Sequence, residues 1–285
     1  MFYSEKNDEF CDKKTAAAYH ERTSKKSDIK LALQSAVSKA QSVSGGSWSA
    51  AVVVMNSGES FCVNDNPMQA ASLIKLYIMG AVYENYETLL SAEPELEVYL
   101  RNMITVSDNY SANYLVTLLG EGIADVGKRA VNSYLKSGGY KNSCMGRMLL
   151  ESSDYGDNYT SAADCAGFFL RICAGELPHS GDMLGLLESQ KLTSKIPAGV
   201  PLGVRTANKT GELLSVQNDA AAVFAENPYI LCVMAENVEE ASAAASIAEL
   251  SSDIYLTLNI DINRQLVYNY ERDLSSNTAV VKQIK

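Results

Sequence analysis

The sequence predicts an α+β fold, in which an antiparallel sheet flanked by helices from both ends of the chain is interrupted by an inserted all-helical lobe. Strand-like apolar runs occur before residue 71 and after residue 197, whereas apolar residues between them recur at helical spacing. A chain of 285 residues, 47% of them hydrophobic, also has enough apolar material for a large core.

The first part of the chain is predicted to contain a helix and a hairpin. Residues 1–26 are polar and mixed in charge, which predicts a disordered lead-in. Ser27 and Asp28 are suited to cap a helix that runs to a glycine-containing break at residues 44–47. A turn sequence at residues 56–58 then separates two strand-like runs, as in a β-hairpin. These runs are 48–55 and 60–63.

The middle of the chain is predicted to be helical and the part after residue 196 to return to strands. The periodic apolar segments of the middle are 73–86, 96–104, 112–119, 123–135 and 163–173. The later strands are predicted at 203–209, 219–224 and 229–233. An alanine-rich helix is expected to follow over residues 239–256.

These patterns divide the chain into two lobes and its terminal segments. Residues 27–71 and 197–259 are predicted to form a discontinuous α/β lobe around a helical lobe, residues 72–196. Residues 260–285 are predicted to be a polar C-terminal extension with one strand-like patch at 266–270. The cleft between the two lobes is the expected ligand site.

Composition excludes several classes of function. The chain carries 34 acidic and 24 basic residues, and this net charge of −10 argues against a nucleic-acid partner. Its six cysteines include no Cys-x-x-Cys pair and its two histidines are far apart, so no metal and no other cofactor is expected. The given sequence contains neither a stretch of about 20 apolar residues nor a signal-peptide pattern.

The two histidines argue against a Ser-His-Asp enzyme. His20 lies in the predicted lead-in and His179 in a predicted loop, where a lone histidine is usually a solvated surface residue. No Gly-x-Ser-x-Gly sequence is present either. If the protein is a serine enzyme, its base is therefore not histidine.

A lysine follows Ser72 at the spacing of one helical turn. In Ser72-Leu73-Ile74-Lys75 the first and last side chains share a helix face. The first turn of a helix offers free N–H groups and a positive dipole end, which favour an oxyanion there. The pattern is weak alone, because Ser27/Lys30 and Ser133/Lys136 repeat it and are explained as a helix start and a solvated helix face.

Two further tripeptides offer matching chemistry. Ser107-Asp108-Asn109 reads as a helix cap, or as a hydroxyl for proton relay beside an amide that holds a carbonyl. Lys209-Thr210-Gly211 reads as the end of a strand, or as a cation and a hydroxyl beside backbone that a substrate can approach. Each tripeptide alone has an ordinary structural explanation.

Together the three motifs resemble the class A β-lactamase and penicillin-binding-protein superfamily. Ser-x-x-Lys, Ser-Asp-Asn and Lys-Thr-Gly occur here in the family's order, and 35 and then 102 residues separate their first members. The flanking sequences 71–77 and 103–109 are also similar to the family's, and the likeness covers roughly residues 27–258. The resemblance implies a β-lactamase-like fold and a serine hydrolase that opens the lactam amide through an acyl-enzyme.

The resemblance assigns the catalytic roles. Ser72 is the implied nucleophile, and Lys75 is the acylation base or part of the base network. Ser107 passes a proton to the leaving nitrogen. The implied oxyanion hole consists of the backbone N–H groups of Ser72 and Glu212.

The same resemblance assigns the substrate-binding roles. Asn109 is expected to bind the substrate amide. Lys209 and Thr210 are expected to hold its carboxylate, and Gly211 allows the substrate to lie along the strand. Glu212 departs from the family, which usually has a small residue here. Strand alternation puts Glu212 on the face of Thr210, so it is expected to repel an anionic substrate and favour a neutral or basic end.

A second departure concerns deacylation. The family carries Glu-x-x-Leu-Asn in a loop, with the glutamate activating the water that releases the acyl group. Here the loop before Thr160 is shorter and this pattern is absent. Glu151 is the best replacement candidate, and a solvated loop carboxylate is an equally good interpretation.

Three functions remain open. The protein is a β-lactamase, or a D-Ala-D-Ala carboxypeptidase or esterase-like relative that β-lactams acylate but that deacylates poorly, or a non-catalytic ligand-binding relative. The implied partner is a small β-lactam or a peptidoglycan peptide, and a monomer is expected. Peptidoglycan lies outside the bacterial membrane, so the resemblance implies an extracytoplasmic protein, secreted or membrane-tethered.

Overall fold

A five-stranded antiparallel sheet lies at the centre of the protein. The computed structural model describes residues 13–154 and 156–260. The strands of the sheet follow the order β2-β1-β7-β6-β5. They are β1 (Ser47–Val54), β2 (Glu59–Val63), β5 (Arg205–Leu213), β6 (Val216–Phe224) and β7 (Tyr229–Glu236), and a separate short pair is β3 (Met68–Gln69) with β4 (Tyr159–Thr160). The predicted α+β fold with an antiparallel sheet is confirmed.

The two faces of the sheet contribute to two hydrophobic cores. Successive side chains of a strand point to opposite faces. In β1, Ala51 and Val53 join the core beneath the helical lobe, whereas Ala50 and Val52 join the core beneath the terminal helices. The two terminal helices, α1 (Lys13–Ser44) and α9 (Glu240–Asn259), pack against each other over this second face.

The opposite face carries the helical lobe. Its helices are α2 (Ile74–Glu84), α3 (Tyr86–Ala92), α4 (Leu96–Thr105), α5 (Asn109–Leu119), α6 (Ala124–Ser137), α7 (Ala162–Cys173) and α8 (Ser180–Glu188). Residues 74–83 of α2 are all buried. A helix that is buried all round lies inside a core, so α2 is the central helix of this lobe. In the described ranges, none of the helices is both long and apolar enough to cross a membrane.

The structure corrects two sequence-based boundaries. Residues 13–26 are the start of α1, not part of a disordered lead-in, because the run from Lys13 to Ser44 contains neither proline nor glycine and is rich in helix-forming residues. The strand predicted to end at residue 209 continues to Leu213, because the β5–β6 hairpin pairs without interruption. The rest of the predicted lead-in and the patch at 266–270 lie outside the described residues.

Candidate active site

Ser72 lies in a tight turn that is pressed against strand β5. A 3₁₀ helix, Ala71–Leu73, leads directly into α2, and Ala71 has a left-handed φ of 47°. A Cβ atom on Gly211 would lie 2.8 Å from the carbonyl oxygen of Ala70. Only glycine lets the strand approach this closely, so Gly211 sets the distance between β5 and the serine turn.

The amine of Lys75 lies among four oxygen atoms. Its Nζ is 3.1 Å from Ser72 Oγ, 3.2 Å from Ser107 Oγ, 2.6 Å from the Ser107 carbonyl oxygen and 2.7 Å from Asn109 Oδ1. The side chain is fully buried in α2. The structure therefore brings Ser72, Ser107 and Asn109 together around the amine of Lys75.

Burial changes the protonation of Lys75. Removal from water disfavours the charged form and lowers the pKa of Lys75 to about 7, although the Asp108 carboxylate acts in the opposite direction. Near neutral pH a large fraction of this amine is uncharged and has a free lone pair. An uncharged amine 3.1 Å from a serine hydroxyl is able to accept its proton.

Ser107 connects Lys75 to the third motif. Lys209 Nζ donates a hydrogen bond of 2.9 Å to Ser107 Oγ and another of 2.7 Å to the Thr210 carbonyl oxygen. Lys209 is fully buried on β5, and burial together with the charge of Lys75 holds the pKa of Lys209 well below its usual range. The Ser107 hydroxyl thus lies between two buried amines, a position suited to proton transfer.

The helix-cap interpretation of the second motif is confirmed. Asp108 caps α5 by accepting a hydrogen bond of 2.6 Å from the Ser111 N–H. This cap fixes the loop in which Ser107 adopts a left-handed φ of 59°. Backbone strain of this kind is often retained where it orients a functional side chain.

Ser72 and Asn109 line a cavity of about 190 Å³. The loop after Gly146 contributes further lining from Leu149, Leu150 and Glu151, and Glu212 closes the side nearest β5. Both carboxylates singled out in the sequence thus lie at the same cavity as Ser72.

Glu151 is held by the backbone of its own loop. Its Oε2 accepts a hydrogen bond of 3.0 Å from the Met148 N–H. Leu149, which the sequence analysis did not single out, is fixed beside it by two reciprocal bonds of 2.8 and 2.9 Å with the Asn113 side chain. The cavity wall contributed by this loop is therefore apolar at Leu149, and the nearby carboxylate is already engaged.

An ion pair closes the base of this loop. Arg147 Nε lies 2.7 Å from Asp157 Oδ1, and both side chains are largely buried. Arg147 also donates a bond of 3.0 Å from Nη1 to the Glu151 carbonyl oxygen. The pair joins residues 147 and 157, between which the cavity-lining residues Leu149, Leu150 and Glu151 lie.

Lys195 is a site residue that sequence reasoning missed. It precedes a 3₁₀ helix, Ile196–Gly199, and its Nζ is 2.8 Å from Glu212 Oε1 and 3.1 Å from the Asn218 carbonyl oxygen. Its side chain is 1% exposed. No local motif marks it, because its position depends on how the loop before β5 packs on β6.

Comparison with known proteins is consistent with this geometry. A family model described as the beta-lactamase enzyme family matches residues 88–258, more than half of the chain. The chain belongs to the beta-lactamase enzyme family. The predicted family membership is thus confirmed. The match includes Ser107, Asn109 and Lys209, while Ser72 and Lys75 precede it and are joined to them by the contacts above.

Solved structures of β-lactamase-like proteins superpose well on the chain. A β-lactamase from Sphaerobacter thermophilus matches with a TM-score of 0.70 at 24% identity, over 80% of this chain and 97% of its own. A β-lactamase from Xanthomonas campestris matches with a TM-score of 0.69 at 16% identity, over 79% and 97%. PBP-A matches with a TM-score of 0.67 at 25% identity, over 80% and 94%. No curated protein sequence matches the chain.

Proposed function

We propose that this protein is a serine hydrolase of the class A β-lactamase type that is acylated at Ser72 by β-lactams. The observation that carries the proposal is the position of the Lys75 amine, 3.1 Å from Ser72 Oγ and 3.2 Å from Ser107 Oγ. One amine thus contacts both the hydroxyl that attacks and the hydroxyl that would protonate the leaving group.

The acylation step follows from these contacts. Neutral Lys75 accepts the Ser72 proton while Oγ bonds to the lactam carbonyl carbon, and the N–H groups of Ser72 and Glu212 are the expected donors to the oxyanion. The carbon–nitrogen bond then breaks. Ser107 gives its proton to the leaving nitrogen and recovers one from Lys75, whose gained proton is thereby returned.

Release of the acyl group is proposed to be slow. Hydrolysis of the ester on Ser72 needs a base that deprotonates water beside it. Glu151 lines the cavity, but its Oε2 already accepts a backbone N–H, and the Leu149 side chain offers no polar atom. This arrangement favours the alternative of an esterase-like relative, in which the β-lactam acyl group stays on Ser72 for a long time.

The physiological setting follows from the substrate. Peptidoglycan peptides and β-lactams are found outside the bacterial membrane, so we propose an extracytoplasmic protein. The proposed partner is a small β-lactam or a peptidoglycan peptide, bound by a monomer.

Mass spectrometry of the intact protein after treatment with penicillin G tests the proposal. The wild type is expected to gain a stable adduct that Ser72→Ala lacks. Ser133→Ala is the matched control, since Ser133 also precedes a lysine by three residues but is exposed on α6, and it should keep the adduct. Neither an adduct nor turnover of a chromogenic cephalosporin by the wild type would contradict the proposal.

A further inference from the structure

The end of the site near β5 contains a carboxylate of the protein itself. Glu212 lines the cavity of Ser72 and forms an ion pair with Lys195, whose Nζ is 2.8 Å from Glu212 Oε1. The same amine donates a hydrogen bond of 3.1 Å to the Asn218 carbonyl oxygen. An ammonium group with one carboxylate and one carbonyl partner has its strongest attraction already satisfied.

Exposure separates the two members of this pair. Lys195 is 1% exposed and Lys209 is fully buried, whereas the Glu212 side chain is 53% exposed. Thr210, between Lys209 and Glu212 on the strand, is also buried. The cations at this end of the site are therefore covered, and the group that reaches both the cavity and Lys195 is the Glu212 carboxylate.

The other acidic groups of this region do not line the cavity, although the buried Asp219 carboxylate also attracts Lys195. Asp219 is buried on β6, where it accepts hydrogen bonds from Asn208 Nδ2 at 3.1 Å and from the Ile196 N–H at 2.9 Å. Asp108 caps α5. Glu212 is thus the carboxylate of this region that an incoming substrate meets first.

We propose that Glu212 determines substrate specificity by occupying Lys195, so that the acyl donors accepted best have no carboxylate at the end that lies along β5. This inference rests on the proposed acylation of Ser72 and names its substrate class. A substrate carboxylate would have to displace Glu212 from Lys195 and leave two negative charges beside each other. A donor that is neutral or cationic at that end meets no such competition.

Two compounds that differ at this end alone give the test. Penicillin G carries a carboxylate, and its methyl ester does not. The second-order rate of adduct formation is measured for both by mass spectrometry of the intact protein, and the ratio of the acid rate to the ester rate is the readout. A ratio cancels changes in protein stability and in the general reactivity of Ser72.

Glu212→Gln keeps the size of the side chain and removes its charge. The acid-to-ester ratio is expected to rise about tenfold, equivalent to about 1.4 kcal/mol of preference for the anion. Glu226→Gln is the matched control, because it changes the net charge equally but lies exposed in the turn at the opposite end of β6. Its ratio should equal that of the wild type.

The role of Lys195 is tested in the same background. Adding Lys195→Met to Glu212→Gln should return the ratio to about the wild-type value, because the amine that gained the substrate carboxylate is then absent. Equal ratios in the wild type and Glu212→Gln, with adducts forming in both, would overturn this inference alone. Absence of any adduct with either compound would overturn the proposed function and this inference with it.

Discussion

The pH dependence of acylation follows from the environment of Lys75. Burial lowers its pKa from 10.5 to about 7. About half of the amines are then uncharged at pH 7, whereas an ordinary lysine is uncharged in roughly 0.03% of molecules, a difference on the order of a thousandfold. A lysine is charged below its pKa, and the uncharged form alone accepts the Ser72 proton. The acylation rate is therefore expected to rise with pH and to reach half its limit near pH 7.

Asp108→Asn perturbs this titration in a known direction. The Asp108 carboxylate raises the pKa of Lys75 against the effect of burial, so its removal should move the midpoint to lower pH. In the wild type, the cap on α5 is a hydrogen bond of 2.6 Å from the Ser111 N–H to Asp108. Asparagine also caps helices well, so the cap should persist in Asp108→Asn and Tm should change little.

The assay is the second-order rate of penicillin G adduct formation, sampled by acid quench from about pH 5 to about pH 10. Two results would contradict a role for Lys75 as the base. One is a wild-type midpoint near that of an ordinary lysine, and the other is a midpoint that moves to higher pH in Asp108→Asn. Either result would mean that the amine of Lys75 is not the group whose deprotonation permits acylation.

Three further substitutions test individual contacts. Gly211→Ala should cost about 1–3 kcal/mol of stability, because the new Cβ would lie 2.8 Å from a backbone oxygen. In the control Gly167→Ala, in α7, the new Cβ meets no atom within 4 Å, so Tm should stay the same or rise. Equal Tm values for the two variants would contradict the close packing at Gly211. Arg147→Ala leaves Asp157 buried without its ion-pair partner, and urea unfolding should show a loss of about 3–5 kcal/mol. Glu151→Gln should leave the release of the penicillin adduct nearly unchanged, and a slowing on the order of a hundredfold would instead identify Glu151 as the general base.

The part of the site that the sequence predicted is the part carried by local motifs. Ser72 and Lys75 are one turn apart on a helix, and this spacing alone puts their side chains together. Ser107 and Asn109 flank a helix cap, which fixes both at the start of α5. The fold class was predictable for a similar reason, because strand-like and helical periodicities are properties of short segments.

The residues that were missed depend on tertiary packing. Lys195 becomes a site residue because its loop packs on β6, where the Asn218 carbonyl receives its amine. Leu149 reaches the cavity because Asn113, a residue of α5, binds its backbone from another part of the chain. The start of α1 was missed because a polar helix and a disordered segment have similar compositions.

Acylation of Ser72 with help from the Lys75 amine is tested most directly by locating the penicillin adduct in the chain. After treatment with penicillin G, the protein is digested and the modified peptide is fragmented in a mass spectrometer. We expect the acyl group on the Ser72 hydroxyl, and we expect Lys75→Met, which removes the amine 3.1 Å from it, to prevent the modification. An adduct on another side chain, or undiminished modification of Ser72 in Lys75→Met, would contradict this expectation.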